Sequence, residues 1–271
     1  MKVVVLCGGQ GTRLREETEY RPKPLVNIGG KPILWHIMKI YSAYGLHDFV
    51  LCLGYKGEMI KDYFINYDLL NSDFTIHMGS KQIVRDNVAH DEANWRVSLV
   101  DTGLNTMTGG RLARVRRYIG SDEDFLLTYG DGVSDVNVCE LIDFHRRSGR
   151  IATLTGVHPV GRFGELDLRG DSVRHFAEKP ASSDTWINGG YFVMNRRIFD
   201  YLDGDDCILE RGPLERLSAE GQLGVYRHPG FWQCMDTLRD MEHLNHEWAS
   251  GRAPWQVWSD PADGPRLLAA A

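Results

Sequence analysis

The sequence predicts an α/β protein built on a mixed, mostly parallel sheet, and two observations support this class. Short apolar runs of strand length alternate with segments whose apolar residues recur at helical spacing. A glycine-rich loop directly follows the first apolar run, in the position where open α/β sheets bind their ligands. We therefore expect a sheet with helices on both faces and a ligand site close to its first strand.

The individual elements follow from that alternation. Val3–Leu6 is an apolar run that predicts the first strand. Further strands are predicted at 49–53, 96–100, 125–128 and 151–157, and helices at 31–44, 58–67, 111–118 and 138–147. Pro32 suits the first turn of the helix at 31–44, two glycines open the helix at 111–118, and Gly149 closes the helix at 138–147.

The second half of the chain has a different pattern. The segment GRFGELDLRGDSVRHFAEKP predicts a β-hairpin that turns at residues 169–171, and NGGYFVMN predicts a strand opened by glycines. Neither an internal repeat nor a low-complexity linker interrupts the chain, so we expect a single domain over residues 1–258. The tail 259–271 is rich in Pro, Gly and Ala, and we expect it to be flexible.

Composition and charge argue against several classes of protein. The chain has 271 residues, a net charge of −6 and no basic run, so we expect no nucleic-acid partner. No apolar stretch approaches the roughly 20 residues that span a bilayer, and the N-terminus lacks the pattern of a signal peptide, so we expect no membrane partner. The five cysteines form no CxxC pair, which indicates reduced thiols in a cytoplasmic protein.

The loop after the first strand, LCGGQGTRLREETEYRPKPL, is the most informative motif. Its glycines let backbone N–H groups approach an anion, although a tight turn alone would have a similar composition. It is neither a Walker A loop nor a dinucleotide fingerprint, because the required lysine and third glycine are missing. Arg13 and Lys23 are two cations on this loop, and Pro22 and Pro24 stiffen the backbone around Lys23. These cations favour phosphate binding over a simple turn.

Several motifs resemble the signature of the sugar-phosphate nucleotidyltransferases, the nucleoside-diphosphate-sugar pyrophosphorylases. GGQGTRL and RPKPLVNIGGKPIL carry this resemblance. WHIMKIYSAYG, LVDTGLNTMTGGRL, TYGDGVSD, EKP, NGGYFVMN and GFWQCMDTLRD follow in the order of one branch, the glucose-1-phosphate cytidylyltransferases. The resemblance implies a Rossmann-like αβα nucleotidyltransferase fold, with a nucleotide-binding half at about 1–135 and a hairpin-containing, sugar-phosphate-binding half at about 136–258.

The reaction that the resemblance implies joins CTP and a sugar 1-phosphate, by default glucose 1-phosphate, to give a CDP-sugar and pyrophosphate. The attacking phosphate oxygen is already an anion at pH 7, so no general base is required. We expect catalysis by positioning and by charge neutralisation. Uridylyl or thymidylyl transfer to a sugar phosphate or another phosphate acceptor is the first alternative. A non-catalytic, nucleotide-sensing subunit is the second.

The resemblance also assigns roles to residues. Asp131 and Asp236 would bind Mg²⁺, which proteins hold by one or two carboxylates together with substrate phosphates. The implied catalytic residues are Arg13, Lys23, Asp131, Lys179 and Asp236. The implied nucleotide contacts are Leu6, Gly8, Gly9, Gln10, Gly11, Thr12, Arg13, Lys23, Thr106, Arg111 and Gly130. The implied sugar-phosphate contacts are Glu178, Lys179, Asn188, Gly189 and Gly190.

Several of these residues have a plainer alternative role. Asp131 would suit a turn at a strand end, and Asp236 would suit the N-cap of a following helix. Arg111, which the resemblance directs at O2 and N3 of cytosine, would otherwise be a surface arginine in a first helical turn. Lys179 would otherwise be an exposed lysine at the end of the hairpin.

The resemblance further implies a homo-oligomer. The segments DYFINYDLL and APWQVW are rich in aromatic residues, and one core need not absorb all of that apolar surface. We therefore expect part of it to lie in an interface between subunits.

Overall fold

The computed structural model of the chain describes residues 1–85, 91–159, 165–169, 171–177 and 185–258. Its strands are β1 (Val3–Leu6), β2 (Asn27–Ile28), β3 (Lys31–Pro32), β4 (Asp48–Leu53), β5 (Phe74–His77), β6 (Gln82–Arg85), β7 (Arg96–Asp101), β8 (Asp124–Tyr129), β9 (Gly132–Ser134), β10 (Ala152–Val157), β11 (Glu165–Arg169), β12 (Ser172–Ala177), β13 (Ile187–Asn195), β14 (Leu223–Arg227) and β15 (Trp232–Cys234). Its α-helices are α1 (Arg15–Thr18), α2 (Ile33–Ser42), α3 (Gly57–Ile65), α4 (Tyr67–Asn71), α5 (Thr108–Arg114), α6 (Arg116–Ile119), α7 (Val138–Ser148), α8 (Pro213–Ala219) and α9 (Leu238–Ala249).

A seven-stranded sheet with the order β14-β10-β13-β8-β1-β4-β7 lies at the centre. The pairs β1–β4, β1–β8, β4–β7 and β10–β14 are parallel. Strand β13 is antiparallel to both of its neighbours, β8 and β10. The mixed, mostly parallel sheet predicted from the sequence is therefore confirmed, and strands from both halves of the chain share it.

The two faces of the sheet carry separate apolar cores. Because successive strand residues point to opposite faces, Val3 and Val5 of β1 belong to one core, and Val4 and Leu6 belong to the other. Helices α2, α3, α7 and α9 contribute to the first core. Helices α5, α6 and α8 contribute to the second core. Helices thus cover both faces, as the alternation of elements predicts.

Two predicted helix starts need correction. Helix α2 begins at Ile33 rather than at residue 31, because Lys31–Pro32 pairs with Asn27–Ile28 as a short antiparallel ladder. Helix α5 begins at Thr108, so Gly109 and Gly110 lie inside its first turn. A Cβ on Gly110 would lie 2.7 Å from the carbonyl oxygen of Asp205, so glycine is needed where that backbone packs on the helix.

The remaining predictions for the second half have different outcomes. Strands β11 and β12 form the predicted hairpin, and β13 contains the predicted NGGYFVMN strand. Residues 178–179 and the tail 259–271 lie outside the described residues.

The segment APWQVW, which was predicted to lie partly in a subunit interface, packs against the protein's own core. Ala253, Trp255 and Val257 are buried, and Trp255 is among the largest fully buried side chains. This segment therefore does not supply a subunit interface through those residues.

Within the described residues, no helix combines the length and apolar character that crossing a membrane requires.

Candidate active site

A cavity of about 750 Å³ opens where β1 and β8 end. Because β13 runs antiparallel to β8, the beginning of β13 reaches the same edge of the sheet. Three segments far apart in the sequence therefore line one cavity: the glycine loop after β1, the residues at the end of β8, and residues 188–191 at the start of β13. This edge is where open α/β sheets bind ligands.

Most residues singled out in the sequence line this cavity. They are Leu6, Gly8, Gly9, Gln10, Gly11, Thr12, Arg13, Lys23, Thr106, Arg111, Gly130, Asp131, Asn188, Gly189, Gly190 and Asp236. Glu178 and Lys179 lie outside the described residues. The structure thus brings the predicted nucleotide contacts, the predicted metal ligands and part of the predicted sugar-phosphate contacts into one place, while their individual roles stay predictions.

Two short strands bring Asp131 and Asp236 together. Asp131 lies in the turn between β8 and β9, and Asp236 follows β15. Strand β15 pairs antiparallel with β9, and Cys234 is the partner of Gly132. This pairing brings Asp131, which lies just before β9, close to Asp236, which lies just after β15.

Two cations join these carboxylates into an ion-pair chain, Arg13–Asp236–Lys23–Asp131. The ammonium Nζ of Lys23 lies 2.6 Å from Oδ2 of Asp131 and 2.7 Å from Oδ1 of Asp236. The other oxygen of Asp236, Oδ2, accepts a hydrogen bond of 2.6 Å from Nη1 of Arg13. Lys23 and Asp236 are buried, whereas Arg13 is largely exposed.

The pKa values of the ion-pair chain follow from its geometry. Burial by itself lowers the pKa of Lys23, but the charges and hydrogen bonds of Asp131 and Asp236 outweigh burial, so the pKa is raised. Burial by itself raises the pKa of Asp236, but Lys23 and Arg13 outweigh it and the pKa is lowered. Lys23 is therefore charged and Asp236 ionised at neutral pH.

The chemistry of the two aspartates fits a magnesium ion. Two carboxylates already share one cation, and carboxylate oxygens are the protein ligands that Mg²⁺ prefers. No group of three or more His, Cys, Asp or Glu side chains able to hold a metal is found among the described residues. A metal held here by described residues alone would take its remaining ligands from substrate phosphates or water.

The glycine loop offers unused backbone donors. Hydrogen bonds to Gly11 O from Leu14 N and from the Thr18 hydroxyl close the loop. Gly11 has a φ of +64°, which favours glycine. The backbone N–H groups of residues 8–13 donate to no other described residue. These groups can therefore bind an anion in the cavity.

Arg111 lies in the cavity wall, buried, and not on the surface. Its Nη1 contacts Leu53 O, Thr102 Oγ1 and Gly103 O, and its Nη2 contacts Gly8 O and Leu104 O. The four hydrogens of these two nitrogens thus face five protein acceptors. Contact of Arg111 with a base stays a prediction, and it would use Nε–H or require one of these bonds to open.

The position of Arg111 explains why residue 8 is a glycine. A Cβ on Gly8 would lie 2.2 Å from Cζ of Arg111, so only glycine leaves room for the guanidinium beneath the loop. Gly8 is therefore required for packing on Arg111, in addition to its predicted contact with the ligand.

The first turn of α9 tests the alternative role of Asp236 as a helix N-cap. The N-cap of α9 is Thr237, which forms a capping box with Asp240. The N-cap alternative for Asp236 is therefore wrong. The side chain of Asp236 is instead available to Lys23 and Arg13, while its backbone N–H donates to Asp240 Oδ2.

One cluster in the cavity wall was missed by the sequence analysis. Glu210 accepts hydrogen bonds from the hydroxyls of Tyr129 and Thr108, and the Asn188 amide donates to Tyr129. Tyr129 stands in the motif TYGDG, which was noted without a role for the tyrosine. Glu210 stands in DDCILERG, which carries no motif that would have indicated it.

Comparison with known proteins identifies the family. The family described as Nucleotidyl transferase matches residues 2–219 of the chain. A glucose-1-phosphate cytidylyltransferase from Salmonella typhimurium is 53% identical over 259 residues, which cover 95% of this chain and 100% of that protein. A probable glucose-1-phosphate cytidylyltransferase from Bacillus subtilis is 45% identical over the same shares, 95% and 100%.

Solved structures share the fold at lower identity. HddC from Yersinia pseudotuberculosis, complexed with GMP-PN, matches with a TM-score of 0.66 and 22% identity, covering 91% of this chain and 99% of that chain. An apo UDP-glucose pyrophosphorylase matches with a TM-score of 0.66 and 14% identity, covering 93% and 98%. These matches confirm the Rossmann-like α/β fold. The family match over residues 2–219 and the 53% identity to the Salmonella typhimurium protein lead to one conclusion: the chain belongs to the nucleotidyl transferase family.

Proposed function

We propose that this nucleotidyltransferase transfers the cytidylyl group of CTP to glucose 1-phosphate, giving CDP-glucose and pyrophosphate. The observation that carries the proposal is the ion-pair chain, which lines the same cavity as a loop whose backbone N–H groups have no acceptor among the described residues. The choice of CTP and glucose 1-phosphate rests on the names of the relatives at 53% and 45% identity. We treat residues 1–258 as one catalytic unit, since strands from both halves share the central sheet.

The loop residues would bind the triphosphate. Backbone N–H groups of residues 8–13 are available for phosphate oxygens, and the exposed Arg13 lines the same cavity. Lys23 lies deeper, beside the two carboxylates. We assign Arg13 to the leaving pyrophosphate and Lys23 to the α-phosphate, where negative charge grows in the transition state.

In the reaction a phosphate oxygen of glucose 1-phosphate forms a bond to the α-phosphorus of CTP. The bond between that phosphorus and the bridging oxygen to the β-phosphate breaks, and pyrophosphate leaves with the electron pair. No proton needs to be removed from the nucleophile, so this chain's residues position the reactants and stabilise charge. A Mg²⁺ ion bound by Asp131 and Asp236 would neutralise phosphate charge and orient the triphosphate.

The sugar phosphate would bind on the side of β13. Asn188, Gly189 and Gly190 line the cavity there. The amide of Gly190 is already used by Asn188 Oδ1, at 2.8 Å, and the carbonyl of Gly189 accepts from Trp232 Nε1. The Asn188 side chain is therefore a better candidate for contact with the sugar phosphate than the backbone of the two glycines. Lys179 and Glu178 remain proposed contacts.

We further propose that the protein is a homo-oligomer that works in the cytoplasm. Exposed apolar side chains support assembly: they include Ile65, Leu70, Phe74, Ile76, Met78, Ile83 and Val84, on α3, α4 and the β5–β6 hairpin. All five cysteines are free thiols, which agrees with a reducing compartment.

The test of the proposed reaction is turnover with a panel of nucleotides. Purified protein would be incubated with glucose 1-phosphate, Mg²⁺ and each of CTP, UTP, dTTP, ATP and GTP, and pyrophosphate release would be measured. We expect the highest kcat/KM with CTP. A higher value with UTP or dTTP would replace the proposal by uridylyl or thymidylyl transfer. No release with any nucleotide would indicate a non-catalytic protein.

A further inference from the structure

The carboxylate of Glu210 holds two hydroxyl groups in the cavity wall. The Tyr129 hydroxyl donates to Oε1 at 2.5 Å, and the Thr108 hydroxyl donates to Oε2 at 2.7 Å. Tyr129 is the last residue of β8, and Thr108 is the first residue of α5. Both residues line the cavity. With both oxygens engaged, the plane of the carboxylate is fixed relative to β8 and α5.

A carboxylate can only accept hydrogen bonds, so the Tyr129 hydroxyl must be the donor in its bond to Glu210. The single hydroxyl hydrogen of Tyr129 is committed to Glu210, so the oxygen of Tyr129 can only accept from other groups. The neighbour that meets this requirement is Nδ2 of Asn188, at 3.3 Å. Glu210 therefore determines which end of the Asn188 amide faces Tyr129.

Two further contacts stabilise this arrangement of Tyr129 and Asn188. Oδ1 of Asn188 accepts from the backbone N–H of Gly190 at 2.8 Å, so the amide is oriented from both sides. Gly190 has a φ of +80°, and a Cβ there would lie 2.5 Å from Cδ2 of Tyr129, so the tyrosine ring packs directly on the glycine.

The consequence concerns what Asn188 can offer a ligand. One hydrogen of Nδ2 is directed to Tyr129 and Oδ1 is directed to Gly190. No described residue accepts the second Nδ2 hydrogen, and Asn188 lines the cavity. Asn188 thus presents a donor to the cavity. A ligand atom opposite it has to be an acceptor oxygen.

We infer that Glu210 is a positioning residue: through Tyr129 it fixes the Asn188 amide so that its free N–H binds an acceptor oxygen of the sugar 1-phosphate. The inference rests on the proposed function, which puts the sugar phosphate beside β13. Glu210 itself acts without touching the substrate. The acceptor is either a sugar hydroxyl or a phosphate oxygen.

The variants Glu210→Gln and Tyr129→Phe separate this role from a structural one. Glutamine has nearly the same shape but carries a donor, so Tyr129 is no longer forced to donate and the Asn188 amide loses one of its two restraints. Phenylalanine keeps the ring on Gly190 and removes only the hydroxyl. The matched control is Glu220→Gln, because Glu220 accepts from the Tyr201 hydroxyl at 2.5 Å in an exposed pair and does not line the cavity.

The measurement is kcat and KM for both substrates, with melting temperatures, in the wild type, the two single variants, their double variant and the control. We expect Glu210→Gln and Tyr129→Phe each to raise KM for the sugar 1-phosphate roughly three- to tenfold, the size of one lost hydrogen bond. The rise in KM for CTP should be smaller. The double variant should resemble the single variants, because both changes remove the same restraint. Glu220→Gln should match the wild type.

Other results would overturn the inference. An unchanged KM for the sugar 1-phosphate in both variants contradicts it, and so does an additive effect in the double variant. An equal change in Glu220→Gln would point to a general effect of losing a carboxylate. If Glu210→Gln fails to fold, Tyr129→Phe decides alone. Absence of turnover in the wild type would refute the proposed function and this inference with it, whereas active wild type with unaffected variants would refute the inference only.

A second arm identifies the acceptor. Glucose 1-phosphates that each lack one hydroxyl would be compared in the wild type and in Glu210→Gln. If the acceptor is a hydroxyl, one deoxy analogue loses affinity in the wild type but loses little more in the variant. If every analogue is affected equally in both proteins, the acceptor is a phosphate oxygen.

Discussion

The two aspartates of the ion-pair chain have unequal surroundings, and the difference is testable residue by residue. Asp236 is buried and contacts two cations, whereas the Asp131 side chain is 30% exposed and contacts one cation among the described residues. We expect Asp236→Asn to lower the free energy of unfolding by roughly 2 kcal/mol, because it weakens both hydrogen bonds of a buried carboxylate, one to Lys23 and one to Arg13. Asp131→Asn should cost less than about 1 kcal/mol. Denaturant unfolding measures both values.

Activity should respond differently from stability in these two variants. Both substitutions remove a proposed metal ligand, so both should nearly abolish turnover although only one strongly affects the fold. A variant that keeps full Mg²⁺-dependent turnover would show that its aspartate is not a ligand. Equal losses of stability would contradict the unequal burial described here.

His36 gives a prediction on pH dependence. It is buried, its Nε2 contacts the carbonyl of Ile28 at 2.9 Å, and Trp255 Nε1 donates to its Nδ1 at 3.3 Å, so the ring is neutral with a proton on Nε2. Burial lowers the pKa of His36 from 6.5 to about 4. As the pH falls from 6.5 to 4, the unfolded chain therefore binds a proton that the folded chain does not.

The free energy of unfolding should consequently fall by about 3 kcal/mol over that pH range through His36 alone, and this contribution should be flat above pH 6.5. Urea unfolding at several pH values would measure the total change. In His36→Gln, whose amide can still donate to Ile28, the loss between pH 6.5 and 4 should be smaller by that amount. The same slope in both proteins would contradict the account, since acidic groups such as Asp236 titrate in both.

At the scale of elements, the start of α9 should influence the site through one residue. The Thr237 hydroxyl accepts from the backbone N–H of Asp240, and Asp236 immediately precedes this cap. Thr237→Ala should cost about 1 kcal/mol of stability. It should also raise KM for Mg–CTP, because the Asp240 carboxylate that orients the backbone at Asp236 loses its hydroxyl partner.

Helix α7 offers a matched control for that prediction. Asn137 caps α7 by accepting from the backbone N–H of Glu140, and it does not line the cavity. Asn137→Ala should therefore cost a similar amount of stability without changing KM or kcat. If both cap variants change the kinetics equally, the effect of Thr237→Ala comes from general loosening of the fold and not from Asp236.

The same elements show what the sequence could predict. The strands of the central sheet near β1 and the glycine cap of α7 were predictable because periodicity and turn residues are local signals. The pairing of β9 with β15 was not predictable, because each strand has three residues and the contact is non-local. That pairing is what unites Asp131 with Asp236, so their proximity required the resemblance. Glu210 had neither a local pattern nor a motif, and only the fold shows its contacts.

The exposed β5–β6 hairpin is the proposed contact surface for assembly of the protein into an oligomer. Ile76 and Ile83 are cross-strand partners with exposed side chains, and the α3 and α4 residues Ile65 and Leu70 are also exposed. We expect the protein to sediment as an oligomer. Ile76→Lys should shift it toward smaller species, because a charge in an apolar interface is costly to desolvate.

Val173 on β12 provides the control for assembly. It is 53% exposed and lies in the β11–β12 hairpin, so Val173→Lys should leave the sedimentation coefficient unchanged. A wild-type protein that is strictly monomeric at working concentration would contradict the assembly proposal. Oligomers unaffected by Ile76→Lys would show that the interface lies elsewhere.

Direct transfer of the α-phosphate is the central claim for the whole molecule, and one labelling measurement tests it. The wild-type protein would be incubated with Mg²⁺, glucose 1-phosphate and CTP labelled with ³²P at the α-phosphate, and the labelled products would be separated. We expect the label in CDP-glucose, with none bound to the protein and unlabelled pyrophosphate released in equal amount. Label recovered in CMP, label bound covalently to the protein, or label remaining in CTP would contradict the claim.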